Sequence, residues 1–189
     1  MPLESQPDEQ LAGRAARGDA SAFEQLVRRH ETPLLNFCYR MLGDADDAAD
    51  AAQQSFVQVY LHLPSARLDL PFRPWLYRIA RNQCLDRLRA RRTIGLPESA
   101  DDESKAGEVP LPDAAPLPEE VAERHDLQRL LGEAIASLPE RYRAVVAMRY
   151  VTDLTFAEIG QALGLPENTV KTFFQRSKAL LRDYLRERL

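Results

Sequence analysis

The sequence predicts an all-α protein made of two small helical domains joined by a flexible acidic linker, with a helix-turn-helix in the second domain. Apolar residues recur at a spacing of three to four towards both ends of the 189-residue chain, and no run alternates as a half-buried strand does. Between them lies a stretch rich in proline and acidic residues that has no apolar period. We therefore expect domains over residues 1–92 and 119–189, and a linker over residues 93–118.

Composition narrows the class of protein. A content of 44% hydrophobic and 29% charged residues, with a net charge of -4, is ordinary for a soluble globular protein. No apolar run approaches the ~20 residues that a membrane-spanning helix needs, and the first residues lack the pattern of a signal peptide. These features predict a cytoplasmic protein without membrane insertion.

Side chains that could carry catalysis or bind metal are sparse. The three histidines are scattered without ligand spacing, so we expect no metal site and no other cofactor. The sequence shows no carboxylate pair, no nucleophile-base set and no glycine-rich phosphate loop. It therefore predicts neither an enzyme nor a small-molecule substrate. Cys38 and Cys84 both fall in apolar helical patterns and are predicted to be buried thiols.

Two helices are predicted at the start of the first domain. The first begins near Asp8. The second runs over 22–42, because Ser21 and Glu24 have the spacing of a capping box and apolar residues follow at helical spacing. Pro33 lies inside this second helix and predicts a kink or a break.

A third helix follows the stop signal at Gly43. Acidic residues open it, where they suit the positive end of the helix dipole. A packing stripe is predicted at Ala48, Ala51, Ala52, Phe56, Val59 and Leu63. The opposite face carries Asp47, Asp50, Gln53, Gln54 and Gln58. On spacing alone, this polar face indicates simple solvation.

The most informative stretch is the basic run over 72–92, which follows a proline-bounded loop that offers one cation, Arg67. Seven arginines oppose one acid, Asp86, so the run carries +6 in an acidic chain. On a helix, the inward stripe is Leu76, Tyr77, Ala80, Cys84 and Leu88. The outward face carries Trp75, Arg78, Asn82, Asp86 and Arg89.

The outward face of this run predicts a surface for nucleic acid with unpaired bases. Guanidinium groups bond phosphate oxygens in a fixed fork, and an exposed Trp75 offers an unpaired base a stacking partner. The alternative is a solvated basic helix in which Trp75 closes a small core.

Four helices are predicted after the linker. The first ends at Pro139, the second at about Tyr150, the third spans 156–163, and the fourth runs from Glu167 to about Leu185. The fourth is expected to turn these residues inward: Val170, Phe173, Phe174, Leu180 and Leu181.

The last two helices have the spacing of a helix-turn-helix. Gly160 lets the second helix approach, Gly164 takes the turn, and Leu165 fills the corner. The outward residues, which suit base edges or phosphates, are Thr169, Lys171, Thr172, Gln175 and Arg176. The alternative is a helical hairpin with no role in DNA binding.

The order of these segments resembles a sigma factor of the extracytoplasmic-function group, the small two-domain promoter-recognition subunits of bacterial RNA polymerase. The family's core-binding segment resembles LGDADDAADAAQQSF, and its -10 region resembles FRPWLYRIARNQCLDRLRARR. Its -35 domain resembles the run over 138–185. The resemblance spans nearly the whole chain except the linker.

This resemblance implies a role for each face. Core polymerase would bind Asp47, Asp50, Gln53, Gln54 and Phe56. The -10 element would meet Trp75, Arg78, Arg81, Asn82, Arg87 and Arg89, with the loop of Arg67 capturing a flipped base. The -35 element would meet the outward residues of the helix-turn-helix. The implied partners are core RNA polymerase, promoter DNA and an anti-sigma factor.

Two other functions stay open at this point. A stand-alone helix-turn-helix regulator predicts tight duplex binding by the purified protein, and usually dimer symmetry. An adaptor that binds only proteins predicts no base-specific effect of the arginine-rich face. The distribution of charge favours the sigma factor. The chain is acidic overall, but the run over 72–92 carries +6 and the run over 164–189 carries +3, which suggests a protein that needs help to hold DNA.

Overall fold

The computed structural model of the chain describes residues 3–66, 71–94 and 129–188. These residues form helices, turns and short connections, with no β-strand among them, so the all-α prediction is confirmed. The helices are α1 (Asp8–Ala15), α2 (Ala20–Leu42), α3 (Ala45–His62), α4 (Phe72–Ile94), α5 (129–136), α6 (Glu140–Val151), α7 (Phe156–Leu163) and α8 (Glu167–Arg186). Short 3-10 turns cover Leu3–Ser5 and Leu63–Ser65. The predicted linker lies outside the described residues, apart from two residues that extend α4.

Local sequence signals set several helix ends. Gly43 ends α2 in the left-handed region, with φ of 72°, and the Asp44 side chain caps α3 by accepting from the Asp47 N–H at 2.8 Å. Thr155 and Glu158 form a reciprocal capping box at the start of α7. These caps satisfy backbone groups that the first and last turns leave unpaired.

One prediction about α2, the capping box at its start, is wrong. The helix begins at Ala20, and its N-cap is Asp19, whose carboxylate accepts from the Ala22 N–H at 3.1 Å. Glu24 instead pairs with Arg28 at 2.7 Å, so the predicted capping box does not form. Pro33 does not break the helix, which continues to Leu42 because buried residues on both sides hold it against its neighbours.

The inward stripes agree with the sequence pattern. All five predicted residues of α4 are buried, and so is the predicted stripe of α3 except the half-buried Phe56. Cys38 and Cys84 are both fully buried, as predicted. A hydrogen bond with Cys84 and burial raise the pKa of Cys38, so this thiol stays protonated.

The N-terminal unit (α1–α4) and the C-terminal unit (α5–α8) pack on each other. Helix α2 packs against α6, and α4 packs against α7. One continuous apolar core runs through both units. A smaller cluster, formed by Ile135, Leu138, Tyr142 and Val146, holds α5 and α6 together and receives Leu181 from α8.

One residue of α8 departs from the prediction. Leu180 was expected inside but is 42% exposed. It lies about 100° around the helix from Leu181, and only Leu181 reaches the cluster of α5 and α6. Around Leu180 and Leu181, α8 therefore has apolar neighbours only on the side of Leu181.

Candidate nucleic-acid interface

The outward face of α4 combines exposed and half-buried groups. Asn82 and Arg89 are exposed, and Arg89 pairs with Asp86 at 2.8 Å. Trp75 is half-buried against the core, with its ring 6.2 Å from that of Phe72 in an edge-on arrangement. The tryptophan therefore joins the outward face to the core instead of standing free in solvent.

Arg78 makes the most informative contact of this face. Its Nε donates to the carbonyl oxygen of Ala162 at 3.1 Å, and its Nη2 donates to that of Gln161. Both carbonyls belong to the last turn of α7, where no further turn of the helix supplies their usual partners. A guanidinium group predicted to meet phosphate is thus occupied by the end of another helix.

Arg81 is also half-buried, one turn further along α4. Burial and the nearby charge of Arg89 lower its pKa, whereas the carboxylate of Glu140 acts in the opposite direction. An arginine begins from so high a pKa that the side chain keeps its charge at neutral pH. The positive charge of this part of α4 is therefore retained although water is partly excluded.

Arg87 connects the basic helix to the acidic face of α3. Its Nη1 lies 3.2 Å from Asp47 and 3.6 Å from Asp50. Arg91 also pairs with Asp47 and donates to the carbonyl oxygen of Leu42 at 3.2 Å. Asp47 therefore serves first to hold α3 and α4 together, while Asp50 remains 66% exposed.

The outer face of α3 continues beyond the predicted residues. Gln53 and Gln54 are exposed, as expected, and Phe56 is half-buried. Sequence reasoning missed three apolar residues on the C-terminal half of this helix: Val57 (43% exposed), Tyr60 (58%) and Leu61 (60%). The sequence contains a signal for them, because Val57, Tyr60 and Leu61 follow Gln53 at spacings of four, three and one and so lie on the same face of the helix.

The helix-turn-helix has the geometry that its glycines predicted. A Cβ atom on Gly160 would lie 2.6 Å from the carbonyl oxygen of Leu165, so this close approach requires glycine. Gly164 ends α7 in the left-handed region, with φ of 67°. Ile159 and Val170 are fully buried between the two helices and fix their crossing.

The predicted reading residues of α8 lie on one outward face. Lys171, Thr172, Gln175 and Arg176 are exposed, and Thr169 is half-buried. Lys171 pairs with Glu167 at 2.7 Å, and the Thr172 hydroxyl donates to the Asn168 carbonyl at 2.9 Å. An exposed ion pair between neighbouring turns contributes little stability, so Lys171 can exchange Glu167 for a phosphate at low cost.

No cluster of metal-binding side chains occurs within 3–66, 71–94 and 129–188. No helix among these same residues is long and apolar enough to cross a membrane. Arg67, the predicted loop cation, lies outside the described residues.

Comparison with known proteins relates these faces to a family. The family described as Sigma-70 region 2 matches residues 26–94, and Sigma-70, region 4 matches residues 128–181. The ECF RNA polymerase sigma factor SigW of Bacillus subtilis is 34% identical over 177 residues, covering 90% of this chain and 92% of SigW. The RNA polymerase sigma-H factor of Pseudomonas aeruginosa is 32% identical, covering 93% and 92%.

Solved structures show the same fold. CnrH in complex with the cytosolic domain of CnrY has a TM-score of 0.72 at 25% identity, covering 96% of this chain and 99% of the matched chain. The sigma factor RpoE in complex with the anti-sigma factor NepR from Bartonella quintana has a TM-score of 0.67 at 19% identity, covering 87% and 96%. Since relatives such as SigW match over nearly the whole of both chains, the protein belongs to the ECF RNA polymerase sigma factors, which direct core polymerase to promoters.

Proposed function

We propose that this sigma factor uses three separate faces for its three partners: α3 for core RNA polymerase, α4 for the -10 element and α8 for the -35 element. The observation that carries this assignment is their different chemistry. The face of α3 is acidic, amide-bearing and apolar, that of α4 is rich in arginine, and that of α8 combines hydroxyl, amide and cationic groups. We further propose domain limits of 1–92 and 119–189, with 93–118 linking the two DNA-binding faces.

The core-binding face combines the predicted polar residues with the apolar residues that follow them. Asp50, Gln53 and Gln54 occupy the first part, and Val57, Tyr60 and Leu61 the second. Exposed apolar groups next to a charged rim are typical of a protein interface. Asp47 supports this face from behind by its ion pairs with Arg87 and Arg91.

The -10 face is formed by Trp75, Arg78, Arg81, Asn82, Arg87 and Arg89, with Arg67 in the preceding loop. Guanidinium groups supply charge for phosphates, and Asn82 supplies an amide that can pair with a base edge. Holding an unpaired base in this way offsets an unstacking cost of a few kcal/mol. The exposure of Asn82 and Arg89 supports this role.

The -35 face is formed by Thr169, Lys171, Thr172, Gln175 and Arg176. The second helix of a helix-turn-helix lies in the major groove, where amide and guanidinium groups distinguish base pairs. Their exposure on one side of α8 supports this docking.

The remaining partners follow from the role of an initiation factor. Polymerase supplies the chemistry, so we propose no enzymatic activity for this chain, and we place it in the cytoplasm with polymerase. An anti-sigma partner is supported by the similarity to RpoE, whose solved complex contains the anti-sigma factor NepR.

Run-off transcription tests the proposal. Purified core polymerase is assayed with and without the protein, on a genomic promoter library at fixed moderate salt. We expect specific transcripts only in its presence, with shared, spaced upstream motifs. Core binding without transcripts would favour an adaptor. Absence of core binding, together with tight duplex binding by the free protein, would favour a stand-alone regulator.

A further inference from the structure

The C-terminal unit covers part of the face proposed for the -10 element. Arg78 donates to the carbonyl oxygens of Gln161 and Ala162 in the last turn of α7. The C-terminal end of a helix carries partial negative charge, and its last carbonyls accept hydrogen bonds as phosphate oxygens do. The end of α7 thus occupies the guanidinium group in the manner of a DNA backbone.

Polar contacts surround this central one. Arg92 of α4 pairs with Glu140 of α6 at 2.6 Å. Arg73 donates to the carbonyl oxygen of Thr152, and Arg143 donates to that of Met41 at 2.8 Å. Each of these bonds joins the N-terminal unit to the C-terminal unit, so the covered position is held at several points.

Apolar packing lies beneath these bonds. Trp75 and Ile79 of α4 pack against the same core as Phe156, Leu163 and Leu165. The stacking surface of Trp75 is therefore partly used inside the protein. A base that stacks on this ring must compete with that packing.

The reading face of α8 is not covered in the same way. Lys171, Gln175 and Arg176 are exposed, whereas Arg78 is held by the end of α7. The contact therefore covers part of the α4 face and leaves the α8 face accessible.

We propose that the free protein keeps its -10 face closed by an intramolecular contact with the end of α7, while its -35 face stays open. This inference rests on the proposed function of α4 and α8. The apparent affinity for single-stranded DNA is then the affinity of the open state multiplied by the fraction of molecules that are open. Core polymerase would favour the open state if it binds the two units apart, so melting would be restricted to the holoenzyme.

A charge reversal at the edge of the contact tests the proposal without changing a residue assigned to either DNA face. Glu140→Lys places a cation opposite Arg92 and removes the acid next to Arg81. Glu24→Lys is the matched control, since Glu24 is exposed and pairs only within α2, with Arg28 in the adjacent turn. Both variants change the net charge equally.

Two measurements on the free, full-length protein report closure. The first is phenylglyoxal labelling of arginines, read by mass spectrometry: Arg176 should react readily and Arg78 slowly in the wild type. Glu140→Lys should expose Arg78 and leave Arg29 protected, because Arg29 pairs with Asp8 inside the N-terminal unit. The second is binding of a fluorescent random-sequence single strand of about twelve nucleotides, which should tighten in Glu140→Lys in proportion to the rise in the open fraction, and by more than in Glu24→Lys.

A double variant with the two charges exchanged shows whether an effect of Glu140→Lys comes from the lost ion pair or from loss of folding. Arg92→Glu combined with Glu140→Lys should restore the ion pair, the protection of Arg78 and the weaker DNA binding. Equal effects of Glu140→Lys and Glu24→Lys, or rapid labelling of Arg78 in the wild type, would overturn the proposal. Run-off transcription tests the sigma function separately: missing transcripts with intact protection of Arg78 would refute the proposed function and leave the contact established.

Discussion

A Cβ atom on Gly160 would lie 2.6 Å from the carbonyl oxygen of Leu165, so glycine is the residue that lets the turn of the helix-turn-helix fold back on α7. The oxygen belongs to the backbone and cannot rotate away. Any side chain at this position must push the turn, and with it α8, out of place.

Gly160→Ala should therefore destabilise the protein by about 1–3 kcal/mol, the usual cost of overpacking. Gly13→Ala is the control, because a Cβ there would meet nothing closer than the flexible side chain of Arg17 at 3.9 Å. That change should be neutral or stabilising by about 0.5–1 kcal/mol, as alanine favours a helix. Urea unfolding measures both, and equal stability of the two variants would refute the close approach.

Replacing Gln175 or Arg176 by Ala should alter which -35 sequences are used. Each base-edge contact contributes about 1–3 kcal/mol of discrimination. Arg182→Ala is the charge-matched control, since Arg182 is exposed further along α8. Transcription from a promoter library with a randomised -35 element measures the preference. An unchanged preference in both Gln175 and Arg176 variants would exclude them from base reading.

Asn82→Ala should weaken open-complex formation and spare core binding. We choose Asn82 because Arg78 also holds α7, so its replacement changes two contacts at once. Loss of one hydrogen bond to an unpaired base should cost about 0.5–1.5 kcal/mol. Gln10→Ala, on the exposed face of α1, is the control. Permanganate footprinting measures melting, and full melting by the Asn82 variant would remove this residue from the -10 assignment.

Tyr60→Ser should weaken core binding about tenfold, or about 1.4 kcal/mol, because exposed aromatic residues often anchor interfaces. Tyr150→Ser is a close control. Tyr60 is 58% exposed with its ring 5.1 Å from Phe23, and Tyr150 is 66% exposed with its ring 5.7 Å from Phe174. Titration against labelled core polymerase measures both. A similar loss in the two variants would argue against a specific role of α3.

Asp8 should make stability depend on pH in the acid range. Burial raises its pKa, but hydrogen bonds and charge from His30 and Arg29 outweigh burial and hold the pKa below the ordinary 3.8. A depressed pKa adds stability above pH 3.8, and this stability is lost as the pH falls through the folded value.

The measurement for Asp8 is urea unfolding from about pH 5 down to about pH 2.5. Asp8→Asn should be less stable at the upper end by about 1–3 kcal/mol, and the difference from wild type should shrink towards the lower end. Asp183→Asn, at an exposed carboxylate of α8, is the control. A difference that stays constant with pH would contradict the assignment.

The sequence by itself determined the order of the helices and most of their buried faces. The inward stripe of α4, the bounds of α7 and the glycines of the helix-turn-helix follow from periodicity and from backbone preferences that act within a few residues. The same patterns supported the family resemblance, which the comparisons confirm. Periodicity shows which face of a helix is apolar, but it does not show which other segment packs on that face.

Only the tertiary structure decided what each face touches. Arg78 meets a carbonyl 84 residues further along the chain, and Asp47 is tied to Arg87, 40 residues away. Leu180 is exposed and Tyr60 forms part of an open apolar face, although both are apolar residues at helical spacing. The physical reason is that burial and pairing depend on which helices meet in space. Contacts between segments that are distant in the sequence decide which helices pack together, and a local sequence pattern carries no information about these contacts.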